Sequence, residues 1–346
     1  MAIPWVEIFV FPGFLFILGL TILFEQITHR IYARFDFKPK DSPMFIPIVE
    51  HFKLCFHGEK EQQTTKSVLQ SIFLVLLFSL SLLSALILPI CLEGELPVKV
   101  GQYSGNTGST QGIRGVLSFE GDLLLLLTIS ILFGLLIFLI LWISGRNTAY
   151  ESLRIALAFL LFDIPIFLSF VGPALVRRTM SISVLAEDIR LIANINRGFG
   201  IFLLIPWGAL VSVFALTFKF DQPFFDRLNT TPDLAIRSPT ARNWKLHIWN
   251  IALRMYELVI ASVIVSIFLG GSYIPIPILT GYELLGHLLN FLFKLSLVLV
   301  VTTIIKALIP RLKIHQAVNV NFKILMPTAL VTVLIVGIVA ATQGIS

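Results

Sequence analysis

The chain has 346 residues, of which 56% are hydrophobic and only 13% charged, with a mean hydropathy of +0.90. A soluble domain carries roughly 25% charged residues, so this composition excludes an ordinary water-soluble fold and points to a polytopic membrane protein. The net charge of +6 does not imply nucleic acid, because no soluble domain is left to present a basic face; loops on the anionic cytoplasmic side account for it better.

An apolar segment of about 20 residues is needed to cross the hydrocarbon. Eight stretches reach that length: roughly 6–24, 68–91, 123–143, 153–176, 199–218, 247–270, 284–308 and 323–342. They predict an all-α, multi-pass protein of the cell membrane, folded as a single membrane domain over residues 1–346. The N-terminus, MAIPWVEIF, has no basic n-region and no small-residue cleavage site, and reads as a first span rather than a signal peptide.

Between the first two spans lies Glu25–Lys66, the longest polar interruption. It carries seven of the chain's 26 Lys and Arg residues: Arg30, Arg34, Lys38, Lys40, Lys53, Lys60 and Lys66. It also holds Phe45, Ile46, Ile48, Val49, Phe52, Leu54 and Phe56 at helical spacing. A basic, amphipathic segment at the end of a membrane helix suits a cytoplasmic surface where a partner docks, although plain positive-inside anchoring explains the charge alone. Cys55 in this loop and Cys91 at the end of the second span form neither a metal pattern nor a favourable disulfide.

The Gly-, Ser- and Thr-rich stretch 101–115 reads as an exposed flexible turn. It lacks the following helix that a phosphate-binding loop needs. The 219–246 loop has five basic residues, Lys219, Arg227, Arg237, Arg242 and Lys245, and 309–322 has Arg311 and Lys313. This distribution puts the 25–67 and 219–246 loops in the cytoplasm and both termini outside. The exception is 177–198, whose Arg177, Arg178, Arg190 and Arg197 are partly offset by Glu187 and Asp188; there LAEDIRLIANI reads as a short interfacial helix.

A charge within a span costs about 2.5–3.5 kcal/mol on insertion scales, so each calls for a reason. Asp163 lies near the middle of the fourth span, two residues before Pro165. Arg154, nine residues earlier, falls on a roughly opposite helical face and is not placed to pair with it. Arg254 and Glu257 stand at i, i+3 in the sixth span, close enough to pair. Lys294 sits alone in the seventh, with Glu283 at its start and His287 between. An isolated mid-membrane carboxylate is a natural station for a proton, so Asp163 and Lys294, which lack local partners in sequence, carry the stronger functional reading, and Arg254–Glu257 the more structural one. No nucleophile–base pair, metal cluster or dinucleotide fingerprint stands out, so the chain is expected to do no redox chemistry of its own.

Five local patterns, in order, resemble the membrane subunit that anchors the peripheral arm of respiratory complex I and its relatives in membrane-bound nickel–iron hydrogenases and related archaeal complexes. Residues 11–35, FPGFLFILGLTILFEQITHRIYARF, resemble the family's first span and the acidic-basic stretch after it, with Arg34 at its Arg and Lys38, just beyond, near the next one. IPIVEHFKL, residues 46–54, resembles Gln-Pro-x-x-Asp-x-x-Lys-Leu, which places Glu50 and Lys53 on the acid and the base. In 151–172 the spacing of Arg154 and Asp163-Ile-Pro resembles the family's Arg and acid-Ile-Pro. SFEGDLLLLL, residues 118–127, looks like the hydrogenase-type relatives. KALIPRLKIHQAVNVNFKILMPTAL, residues 306–330, keeps Pro310, Arg311, Lys313, Gln316, Lys323 and Pro327 of the family's last cytoplasmic turn and span.

The resemblance implies about eight spans and a non-redox subunit that binds no cofactor itself. Its partners would be peripheral-arm subunits carrying iron–sulfur clusters and a catalytic centre, in the hydrogenase type a nickel–iron centre, together with antiporter-like membrane subunits and lipid. Together with the cost of burying charge, it points to an ion-coupling path through Glu50, Asp163, Arg154, Glu257, Lys294, Asp226 and Asp233, and to docking through Arg34, Lys38, Lys53 and Arg311. The chain departs from the family pattern in 219–237, KFDQPFFDRLNTTPDLAIR, where the usual glutamates are missing; His315 stands in place of an Asp and Thr28 in place of an acid. These departures favour a relative that reduces something other than quinone, of the hydrogenase or sulfur-reductase type, or one with altered coupling. The alternatives are a quinone-binding subunit of complex I and, from a different class, a stand-alone secondary transporter using Asp163 and Lys294.

Overall fold

The computed structural model describes residues 14–35, 65–87, 93–94, 112–113, 121–143, 149–186, 199–220, 244–271, 283–309 and 314–342. Within them the helices are α1 Phe14–Phe35, α2 Thr65–Ala85, α3 Asp122–Ile143, α4 Ala149–Leu161, α5 Asp163–Arg177, α6 Phe199–Phe220, α7 Trp244–Phe268, α8 Glu283–Leu308, α9 Ile314–Val320 and α10 Met326–Thr342. The only strands among these residues are β1 Glu93–Gly94 and β2 Gly112–Ile113, an antiparallel pair of two residues each. The pair closes the connection between α2 and α3, part of which the sequence suggests is a free turn.

Seven helical stretches among the described residues are long and apolar enough to cross a membrane. The protein is an all-α polytopic membrane protein. At the place of the fifth expected span lies α6, helical over 22 residues, of which Pro206–Phe220 forms a shorter apolar helix. The ends of the first and last spans differ from the sequence expectation. Helix α1 runs on to Phe35, so Glu25, Arg30 and Arg34 ride on a helix rather than in a loop. The last crossing stretch begins at His315, eight residues before the expected Lys323, because α9, a π-helical turn at Asn321–Leu325 and α10 are continuous.

The fold is built around α7. Its apolar window is 89% buried, against 17% for α1. It packs against α1, α2, α6 and α8. A helix with no polar face belongs inside a bundle, and small residues on it let neighbouring backbones approach. Ala252, Ala261, Ser262 and Ser266 are fully buried. The serine hydroxyls donate back to Val259 O (2.6 Å) and Ser262 O (2.9 Å), so their burial leaves no donor unsatisfied. A second layer is formed by α5, which packs along both α10 and α6. Between α3 and α4 the approach is closer still: a Cβ at Gly134 would lie 2.5 Å from a Leu160 methyl.

The fourth expected span is one crossing stretch, Ala149–Leu175, interrupted at Phe162. The cause is Pro165. It has no N–H to donate to Leu161 O, so the ladder breaks one turn upstream of it. Asp163 is the first residue of α5 and stands at that break.

A buried charge site in the membrane bundle

The break at Phe162 places Asp163 inside the bundle with its residue only 4% exposed. Its partner is Lys219, next to last in α6 and fully buried. The Lys219 ammonium donates to Asp163 Oδ1 in a close ion pair and to Ser130 Oγ of α3 at 3.2 Å. Ser130 in turn donates to Asp163 Oδ2 at 2.6 Å. Both carboxylate oxygens are thereby engaged, which is what makes a buried pair tolerable in a low-dielectric interior. Aromatic rings complete the enclosure. The Lys219 Nζ lies 4.1 Å from the Phe159 ring centre, 4.8 Å from Tyr256 and 5.7 Å from Phe220. Desolvated cation–π contacts of this kind are each worth about 2 kcal/mol. Phe133 stacks on Tyr256 at 4.4 Å and fixes the cage wall.

Tyr256 is the middle residue of the 25-residue α7, about 18 Å from either end at 1.5 Å per residue. Its hydroxyl is buried beside Ser130. The next residue, Glu257, is turned by about 100° to another face of the same helix, where it anchors a second cluster. Glu257 Oε2 accepts from Arg254 at 2.8 Å and Oε1 from Lys306 of α8 at 2.6 Å. The Lys306 side chain is 3% exposed and that of Arg254 38%. Two charge clusters thus stand back to back at one level of the central helix.

Asp163 has no partner nearby in sequence, but it is not isolated: its partner arrives from 56 positions along the chain. Lys219, counted above among the basic residues of the 219–246 loop, belongs to α6 and to this site. The Arg254–Glu257 pair is present, with Lys306 added. Lys294 is not alone either. It donates to Leu269 O at 2.8 Å and Gly271 O at 3.0 Å, the carbonyls just past the end of α7. Gly270 and Gly271 there have φ of 68° and 55°, and the Gly271 N–H returns to Val265 O. A cation on C-terminal carbonyls stabilises a helix end, so Lys294 has an evident structural task.

Arg154 is exposed on α4, and Arg34 is exposed on the last turn of α1. Glu50, Asp226, Asp233, Lys38, Lys53 and Arg311 lie outside the described residues. The cations Lys219 and Lys306, with Ser130, were missed by reasoning along the chain. The local sequence marks Lys219 only faintly: it is bracketed by Phe218 and Phe220 at the end of the apolar run, where a headgroup-facing anchor is the ordinary reading. Among the described residues no group of three His, Cys, Asp or Glu side chains is arranged to hold a metal.

The two cations on Glu257 differ in burial, and so should their exchange. Lys306→Gln removes a buried, charge-assisted hydrogen bond and is expected to cost about 1.5–3 kcal/mol. Arg254→Gln removes a half-exposed one and should cost about 0–1 kcal/mol. Thermal unfolding in mild detergent checks the order; equal losses would contradict it.

The family pattern described as NADH dehydrogenase matches residues 7–337, nearly the whole chain. The H subunit of NADH-quinone oxidoreductase from Brevibacillus brevis is 24% identical over 205 residues, covering 59% of this chain and 58% of that protein. The aligned part thus spans less than two thirds of that relative's length. The extent of the family match settles the relationship: the chain belongs to the NADH dehydrogenase family of complex-I-like membrane subunits.

Proposed function

We propose that this chain is a non-redox membrane subunit of a complex-I-like, energy-conserving oxidoreductase. It anchors a peripheral electron-transfer arm and couples its redox chemistry to H⁺ or Na⁺ translocation. The observation that carries the reading is the Asp163–Lys219 pair, enclosed by aromatic rings at mid-helix. A fold that needs only stability gains little from such a pair, since well-packed apolar residues do as well or better. A pair that exchanges partners, or passes charge to a second cluster one residue away on α7, has a reason to be there. Glu257 with Lys306 and Arg254 supplies that second cluster.

The partners in this reading are peripheral subunits holding iron–sulfur clusters and the catalytic centre, docked on the segments between α1 and α2 and between α6 and α7, and antiporter-like membrane subunits alongside. The hydrogenase or sulfur-reductase type is favoured by SFEGDLLLLL and by the absence of glutamate from 219–237. The name of the Brevibacillus brevis relative supports a second reading, a quinone-reducing complex.

Mild-detergent purification from native membranes followed by mass spectrometry distinguishes these types. Iron–sulfur and antiporter-like subunits are expected to co-purify, and the cysteine ligands of the large subunit name the acceptor. A chain that purifies alone and transports ions in proteoliposomes would instead be a secondary transporter.

The coupling role is tested by substitution. Asp163→Asn leaves Lys219 buried without its counter-charge, a loss of about 3–5 kcal/mol, so it is expected to weaken assembly as well as ion translocation in vesicles. Asp163→Asn with Lys219→Gln removes both charges and should recover assembly but not translocation. Wild-type translocation per electron in that double variant would contradict the role.

A further inference from the structure

Asn321 opens the π-helical turn between α9 and α10 and is fully buried. Its Nδ2 donates to Leu161 O at 2.9 Å, across 160 positions of chain. Leu161 O is the carbonyl that Pro165 deprives of its helical donor. The amide of one helix therefore stands in for the missing N–H of another. The acceptor is a carbonyl, so the nitrogen of the amide must face it. The amide's other end, Oδ1, is buried with no partner among the described residues. An apolar side chain would avoid that unsatisfied acceptor, so the donor has to be the reason for an amide here.

The π-helical turn that presents Asn321 has its own cause in sequence. Pro327 cannot donate to Lys323 O, and the Met326 N–H reaches back five residues to Asn321 O. Two prolines thus shape the two halves of one contact: Pro165 frees the carbonyl, and Pro327 widens the turn beside the donor. Asp163 follows the bound carbonyl by two residues and begins α5, the helix along which α10 packs.

We infer that Asn321 is a positioning residue: by replacing the N–H that Pro165 lacks, it fixes the break in the α4–α5 span and so the direction in which Asp163 meets Lys219 and Ser130. The last helix of the chain is thereby joined to the ion pair. The functional part of this inference rests on the coupling role proposed for Asp163; the structural part does not.

Two readouts on the full chain in its native membrane assembly separate the two parts. The variants are Asn321→Leu, which keeps the shape and removes the donor, and Asn321→Leu with Pro165→Ala, which restores a backbone N–H for Leu161 O. Hydrogen–deuterium exchange of peptides covering 155–170 reads the break itself. Loss of one hydrogen bond of ordinary strength predicts about fivefold faster exchange in Asn321→Leu and a return to the wild-type rate in the double variant. Ions translocated per electron read the consequence, with a fall in Asn321→Leu and recovery in the double variant. Exchange unchanged in Asn321→Leu, or equally raised in both variants, would overturn the inference, because a packing role gains nothing from Pro165→Ala. Should Asn321→Leu fail to assemble, the double variant must assemble, and its failure too would overturn it. If Asp163→Asn with Lys219→Gln translocates normally, the coupling reading fails while the exchange result still decides the place of Asn321.

Discussion

A carboxylate and an ammonium buried together in the middle of a membrane bundle constrain everything around them. The Asp163–Lys219 pair cannot be solvated, so its remaining hydrogen-bonding capacity has to be met by the protein, and Ser130 and three aromatic rings meet it. These groups come from α3, α4, α6 and α7, as well as α5, which carries Asp163. A shift of any one of these helices by a single turn would move its contribution about 5.4 Å along the axis and strand a charge. The register of five helices is thus tied to one ion pair, in a setting where apolar packing alone specifies register weakly.

The central helix α7 transmits this constraint. Tyr256 closes the cage around Lys219, and Glu257, the next residue, holds Lys306 of α8 and Arg254. Beyond them the end of α7 is held by Lys294 on its carbonyls. Lys219, Lys306 and Lys294, which look unrelated in sequence, are therefore all gathered along one rod. The breaks in the ladder are equally local in origin. Pro165 and Pro327 remove donors, and Asn321 bridges the gap that the first of them leaves.

Much of this was legible beforehand. Length and apolarity were enough for the all-α, multi-pass class, because about 20 consecutive apolar residues have no other use. The Arg254–Glu257 pair was legible because i, i+3 spacing is a local rule, and Asp163 with Pro165 already marked a weak point in the fourth span. What stayed hidden depends on contacts distant in sequence. Lys219 lies at the end of an apolar run, where an anchor facing the headgroups and a buried counter-ion look alike. Lys306 is ambiguous in the same way, and Asn321 reveals its role only when Leu161 stands beside it. For Lys294 the sequence reading was incomplete rather than misplaced: the Gly270–Gly271 turn that offers it carbonyls lies on the neighbouring helix.

The central claim is that Asp163 and Lys219 stabilise each other directly within the bundle. A double-mutant cycle on unfolding free energy, using Asp163→Asn, Lys219→Gln and the two combined in the detergent-solubilised protein, measures that most directly. A direct contact predicts strong non-additivity, with a coupling energy near the upper end of the roughly 0.5–3 kcal/mol seen for contacting residues, so that the double variant is more stable than the sum of the single losses implies. Losses that add to within about 0.5 kcal/mol would contradict it, since two residues without a shared contact behave in that way.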